Sequence, residues 1–176
     1  MSRSMPTRSV DTPRFRPTSE WFVMGRHRGV HSVQVGATAE RTVDLLQALA
    51  LHLDPSVDIQ IVDARSGRRW QGAMCALPDV RAELERLRQG LAAYGGVEVS
   101  VYTPSDQLTL TAALQLVIYA RTNRWAFLLE GAGLVERLAV PPPVWCPGSV
   151  PRFSVPSLTE TLETTARHLG LEEATA

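Results

Sequence analysis

The chain has no lysine; all eighteen of its basic residues are arginine. That absence excludes several enzyme classes. A P-loop needs the lysine of Gly-Lys-Ser/Thr to reach its phosphates. Schiff-base and pyridoxal chemistry need a side-chain amine, and the usual protein-kinase lysine is missing too. Asparagine occurs once, at Asn123, and isoleucine three times. This bias fits a GC-rich, bacterial-type genome and says nothing about mechanism. Cysteine is scarce: Cys75 and Cys146 stand alone, with no CxxC pair, which excludes a structural zinc site of common spacing. Cys75, in Ala-Met-Cys-Ala-Leu, suits a buried small hydrophobe, and Cys146 lies among prolines. No apolar run nears the roughly 18 residues of a membrane span. The first twenty residues lack the apolar stretch of a secretory signal. Both thiols are therefore expected reduced, in a cytoplasmic protein with no membrane partner. GxSxG, HExxH, GxGxxG and EF-hand spacings are all absent. No catalytic residue, cofactor or metal is expected from motifs.

What remains is an ordinary globular composition. The 176 residues are 44% hydrophobic and 20% charged, enough for one domain with a real core plus extensions. Net charge is zero, which argues against a dedicated nucleic-acid binder. The charges are nevertheless uneven. Residues 1–31 hold six arginines and two acids, and residues 153–176 hold four glutamates and one arginine. A basic front and an acidic end can pair with each other or with a partner.

Periodicity sets the expected elements. Residues 1–20 are a basic tail without periodicity, expected to be disordered. Val33 and Val35 alternate with Ser32 and Gln34, a half-buried strand. Thr38 caps a helix to about Leu53, with Val43, Leu46, Ala50 and Leu53 on one stripe. Ile59 and Ile61 alternate in a second strand, ARSG (64–67) turns the chain, and RRWQG returns as a third. Pro78 opens a helix whose Val80, Leu84, Leu87, Leu91 and Tyr94 recur at helical spacing, ended by Gly95-Gly96. Val97, Val99 and Val101 form a fourth strand. For 103–131 strands are preferred: Leu108 and Leu110 alternate with threonines, and LQLVIYA is rich in β-formers. A helix over 107–121 would put Leu108, Leu114 and Ile118 on its polar side. WAFLLEG is expected as a further buried strand. Residues 141–156 carry six prolines and form an extended arm. Ser157 to Glu160 is a capping box that starts a short helix ended by Gly170.

The expectation is an α+β fold: an antiparallel sheet with two main helices on one face. Its order β-α-β-β-α-β is ferredoxin-like, with extra strands. The domain covers 21–140, followed by the arm (141–156) and a C-terminal helix with an acidic tail (157–176).

Two stretches stand out as sites. GRHRGVH, 25–31, packs two histidines and two arginines together. If 27–35 is one strand, His27 and His31 face inward with the valines while Arg26 and Arg28 face water. The histidines would then lie about 13 Å apart along the strand, too far to share a metal. The second stretch is the hairpin tip Arg65, Arg68 and Arg69 with Trp70, a combination that suits base stacking or a protein hot spot. Trp145 in the arm is a further contact candidate. The functional expectation is a non-catalytic protein-interaction module that binds another protein or itself, as a subunit of an assembly or a toxin-neutralising partner. Arg26, Arg28, Arg65, Arg68, Arg69, Trp70 and Trp145 are its contact residues. The alternatives are a small enzyme or ligand binder with Arg, His and Asp converging from separate elements and, less favoured, an RNA or single-stranded DNA binder.

Overall fold

The computed structural model describes residues 20–141 and 154–174. The expected N-terminal tail (Glu20 excepted), Trp145, Cys146 and most of the proline-rich arm lie outside the described residues.

The chain opens with a hairpin, β1 (Trp21–His27) and β2 (Val30–Gly36), then α1 (Ala39–Ala50). A second hairpin, β3 (Ser56–Asp63) and β4 (Arg69–Ala76), leads into α2 (Leu77–Tyr94). A meander follows: β5 (Val97–Tyr102), β6 (Asp106–Leu110) and β7 (Leu116–Ala120). Then come α3 (Arg124–Gly131), β8 (Val135–Arg137), α4 (Pro156–His168) and β9 (Glu172–Ala174). The strands form one nine-stranded sheet in the order β8-β1-β2-β7-β6-β5-β3-β4-β9. It is antiparallel except for the parallel pair β1–β8.

Register explains the core. Phe22, Val35, Leu116, Leu110, Val99, Ile61 and Trp70 are successive cross-strand neighbours. Met24, Val33, Ile118, Leu108, Val101 and Ile59 make the next row. All but Met24 are buried, and each such side chain contributes about 1.5–3 kcal/mol relative to exposure. The helices cover this face. Asp44 of α1 pairs with Arg88 of α2, and Gln47 donates to the Arg81 carbonyl. Arg41 at the start of α1 donates to the Ala132 carbonyl just after α3, while Arg124 at the start of α3 donates to the His52 carbonyl. On the other flank, the buried Glu83 of α2 accepts from Thr165 of α4 and lies 3.0 Å from His168 Nδ1. The helices therefore lie side by side in the order α3, α1, α2, α4.

The α+β class and the largely antiparallel sheet match expectation, but the ferredoxin-like order does not. That plan seats the strand at 30–36 beside the strand at 69–76. Here β5, β6, β7 and β3 intervene. Both edges of β2 are taken, by β1 and β7, and the edge of β4 away from β3 is taken by β9, so the β2–β4 pairing that the ferredoxin-like plan requires does not form. The helical face carries four helices rather than two. One of them is WAFLLEG, expected as a strand. Its buried residues, Trp125 and Leu129, are four apart, and it has no β-branched residue to favour extension. α4 begins at Pro156, and no side chain caps it. The fixed φ of proline at the first turn starts the helix instead of the Ser157–Glu160 box.

The opposite face of the sheet carries none of these helices. It is lined by the alternate residues of every strand.

Candidate interaction surface

The two stretches singled out in the sequence have different fates. Arg65 turns back to close α2: its guanidinium donates to the carbonyls of Gly95 and Tyr94, both at 2.6 Å. Those carbonyls end the helix and have no partner within it. Burial lowers the guanidinium's pKa, partly offset by Asp63. Arg68 stacks over Trp70, 4.7 Å from the ring centre. It also forms a two-pronged pair with Glu173 of β9 (2.8 and 2.9 Å) and touches Glu163 of α4. These hydrogen-bonded carboxylates raise its pKa. Trp70 is 3% exposed. Arg65, Arg68 and Trp70 are thus engaged within the chain, and Arg69 alone of this group is exposed. The acidic C-terminal segment does find arginine, in this hairpin.

GRHRGVH is a hairpin tip. Arg28 (φ 50°) and Gly29 (φ 84°) form the two-residue turn, and positive φ at both positions is the turn geometry that the twist of a hairpin favours. The turn breaks the single-strand parity on which the inward-histidine expectation rested. Arg26 pairs with His31 on the helix-covered side, whereas His27 pairs with Val30 on the open side. Arg26, His27 and Arg28 are exposed, and His31 is half-buried.

The open face itself went unread in the sequence. Val23, Gln34, Val117, Thr109, Ser100, Gln60 and Gln71 follow one another across seven strands. Beside them run Gly25, Ser32, Tyr119, Gln107, Tyr102 and Asp58. From β1 through β6 neither row holds an Asp, Glu or Arg. Tyr119, 45% exposed, lies near the middle, and Val30, 42% exposed, lies near the tip. The centre is internally ordered: Gln107 Nε2 donates to Thr109 Oγ1 (2.9 Å), and the Thr109 and Ser100 hydroxyls are 2.9 Å apart. At the β1 end the indole of Trp21 lies against Gly36, where any Cβ would collide with the ring. Charge returns at the rim, with Asp58, Glu98 and Arg69 on one side and, on the other, the Arg28 tip and Arg137 of β8 beside Val23. An uncharged, tyrosine-bearing centre with a charged rim is the composition of a protein-binding patch.

Other groups are structural. Asp106, 7% exposed, accepts from Trp125 Nε1 (2.8 Å), Arg124 (2.8 Å) and Ser105 Oγ (3.0 Å). It anchors α3 to the sheet, and all its oxygens are used. Cys75 is half-buried, and burial raises its thiol pKa, the opposite of an activated nucleophile. Among the described residues no three His, Cys, Asp or Glu side chains group as metal ligands. A groove of about 270 Å³ runs along α1 and α2, lined by Glu40, Arg88, Gln89, Ala92 and Ala93. Its arginine is committed to Asp44. No described helix is long and apolar enough to cross a membrane. Comparison with protein-family models, curated proteins and solved structures finds no match.

Proposed function

We propose that the chain is a non-catalytic protein-binding module that uses the open face of its sheet. The observation that carries this reading is the uncharged stretch across β1, β2, β7 and β6 with Tyr119 at its middle. A solvated face of that width ordinarily mixes charges of both signs, while interface centres are depleted of charge and enriched in tyrosine. The contact residues therefore shift from the Arg65–Trp70 hairpin to Tyr119, Val117 and Gln34, with Arg28 at the margin. The role is that of an assembly subunit or a neutralising partner, in the cytoplasm. Binding of RNA or single-stranded DNA on this face is disfavoured, because phosphates need cations and this face offers none between β1 and β6. The small-ligand reading gains nothing from the groove beside α1 and α2, where no nucleophile meets a base.

The test is capture of partners by the full-length protein beside its Tyr119→Arg variant, with unchanged circular dichroism required of the variant. A protein retained stoichiometrically by the parent and lost by the variant supports the reading. Equal retention by both overturns it.

A further inference from the structure

We infer that the outer edge of β1 takes an added strand from another protein, an extended segment rich in Asp or Glu. This is a second contact, separate from the open face. Three observations carry it.

The first is the edge itself. β8 pairs only with Trp21–Val23. The rest of β1, Met24–His27, is about 13 Å of strand with no partner on its outer side among the described residues. In a hairpin closed by a two-residue turn the flanking residues, His27 and Val30, exchange hydrogen bonds, and the exchange alternates along the ladder. His27 and Gly25 therefore bond β2, while Met24 and Arg26 aim their N–H and C=O groups outward. A row of such groups is a template for strand addition.

The second is charge. Arg26, His27 and Arg28 are exposed along this edge and its tip, and Arg121 is exposed where β7 ends beside His31. Residues 24–35 and 116–124 contain no Asp or Glu. Among the described residues no side chain pairs with Arg26, Arg28 or Arg121. Arg137 at the end of β8 adds a further cation, with a partner of its own. The acid of this edge, Glu136, sits beside Phe22, four residues along β1 from Arg26. Asp106, which pairs with Ala120, has its oxygens filled by Trp125, Arg124 and Ser105. An incoming strand with a carboxylate opposite Arg26 would pair with it across the new ladder.

The third is a precedent in the same sheet. β9, Glu172–Ala174, adds antiparallel to the far edge at Arg69–Gln71, and Arg68 holds Glu173 there. An acidic strand on an arginine-bearing edge is thus a pairing this chain already makes.

Other occupants fit less well. A nucleic acid would meet the cations and leave the four outward backbone groups without partners. The same edge of a second copy would set arginine against arginine. The chain's own 141–156 has six prolines and no acid, and proline has no N–H for the ladder.

Amide NMR of the full-length protein tests this. The probe is the peptide Glu-Val-Glu-Val-Glu-Val with both ends blocked. Its controls are the same peptide N-methylated at every residue, which keeps the charges and loses the donors, and a six-thymidine oligonucleotide. The expected Kd is below about 1 mM, with the Met24 and Arg26 amides shifted and their hydrogen exchange slowed at least about fivefold. N-methylation and Arg26→Glu should each weaken binding at least about fivefold, with the circular dichroism of the variant matching the parent. Two unmoved amides at about 5 mM peptide overturn the proposal. Equal binding of the N-methylated peptide or of the oligonucleotide shows a contact through charge alone and overturns it too. Slow exchange at both amides in the free protein shows an edge already covered, with the same consequence. None of these failures touches the open-face reading, which rests on Tyr119.

Discussion

Arg68 and Glu173 lie 105 residues apart in sequence and are joined by two parallel hydrogen bonds of 2.8 and 2.9 Å. Through this pair the edge strand β9 is held against β4, and the touch of Arg68 on Glu163 draws α4 to the same point. Arginine suits this position because its planar fork matches a carboxylate and its face stacks on Trp70. Arg68→Ala should therefore lower global stability by about 1 kcal/mol, the scale of a partly exposed but bidentate and networked pair. Native-state hydrogen exchange is expected to show faster opening at 172–174 than in β5 or β6. Uniform acceleration across the sheet would contradict a local clamp.

Acid should loosen the same region. The Glu173 carboxyl titrates below the ordinary glutamate range because Arg68 hydrogen-bonds it. Asp44 is lowered chiefly by its hydrogen bond from Arg88. A folded pKa below the unfolded one means that the stabilisation is complete above the ordinary carboxylate range of about 4. It is lost as pH falls through the lowered folded value, while both arginines stay charged. Carboxyl NMR titration should place the Glu173 midpoint below that of an unperturbed glutamate and return it to the ordinary range in Arg68→Gln. An unchanged midpoint in that variant would contradict the assignment.

Arg65 closes α2 by taking the Tyr94 and Gly95 carbonyls. Arg65→Ala exposes both and is expected to cost about 1–2 kcal/mol in urea denaturation. Lysine has a single ammonium where the arginine fork spans two acceptors, so Arg65→Lys should recover less than half of the loss. Full recovery by lysine would show that charge alone matters there.

Asp106→Ala removes the acceptor of both Trp125 Nε1 and Arg124. Leaving the buried indole unpaired is expected to cost about 2 kcal/mol, because Arg124 is partly exposed and keeps its bond to the His52 carbonyl. The near-ultraviolet circular dichroism of Trp125 should change together with stability. A loss under about 1 kcal/mol would mean that α3 is held by Trp125 and Leu129 packing alone.

The sequence resolved the local pieces better than their arrangement. α1 and α2 were legible because Thr38 and Pro78 mark their starts and one apolar stripe runs along each. The strands through Ile59, Val99, Leu108 and Ile118 were legible from alternation. Pairing was not, because nothing in the periodicity of 30–36 says whether its neighbour is the strand at 69–76 or the one at 116–120. The three-residue edge strands β8 and β9 are too short to show any period. The site was missed for the same reason. Ser32, Gln34, Gln107, Thr109, Val117 and Tyr119 look unremarkable singly, and only the register sets them side by side. The arginines drew notice because they are adjacent in sequence, yet Arg65 and Arg68 serve the chain's own helix end and C-terminal segment.

Hydroxyl-radical footprinting tests the open face as the contact most directly. Tyr119 faces the proposed partner, whereas Tyr94, 40% exposed, lies at the end of α2 on the opposite side of the sheet. Tyr119 oxidation, scaled to Tyr94, should fall several-fold in the assembled protein relative to the dissociated protein. Equal oxidation of Tyr119 in the two states, with protection appearing along α2 instead, would contradict the account.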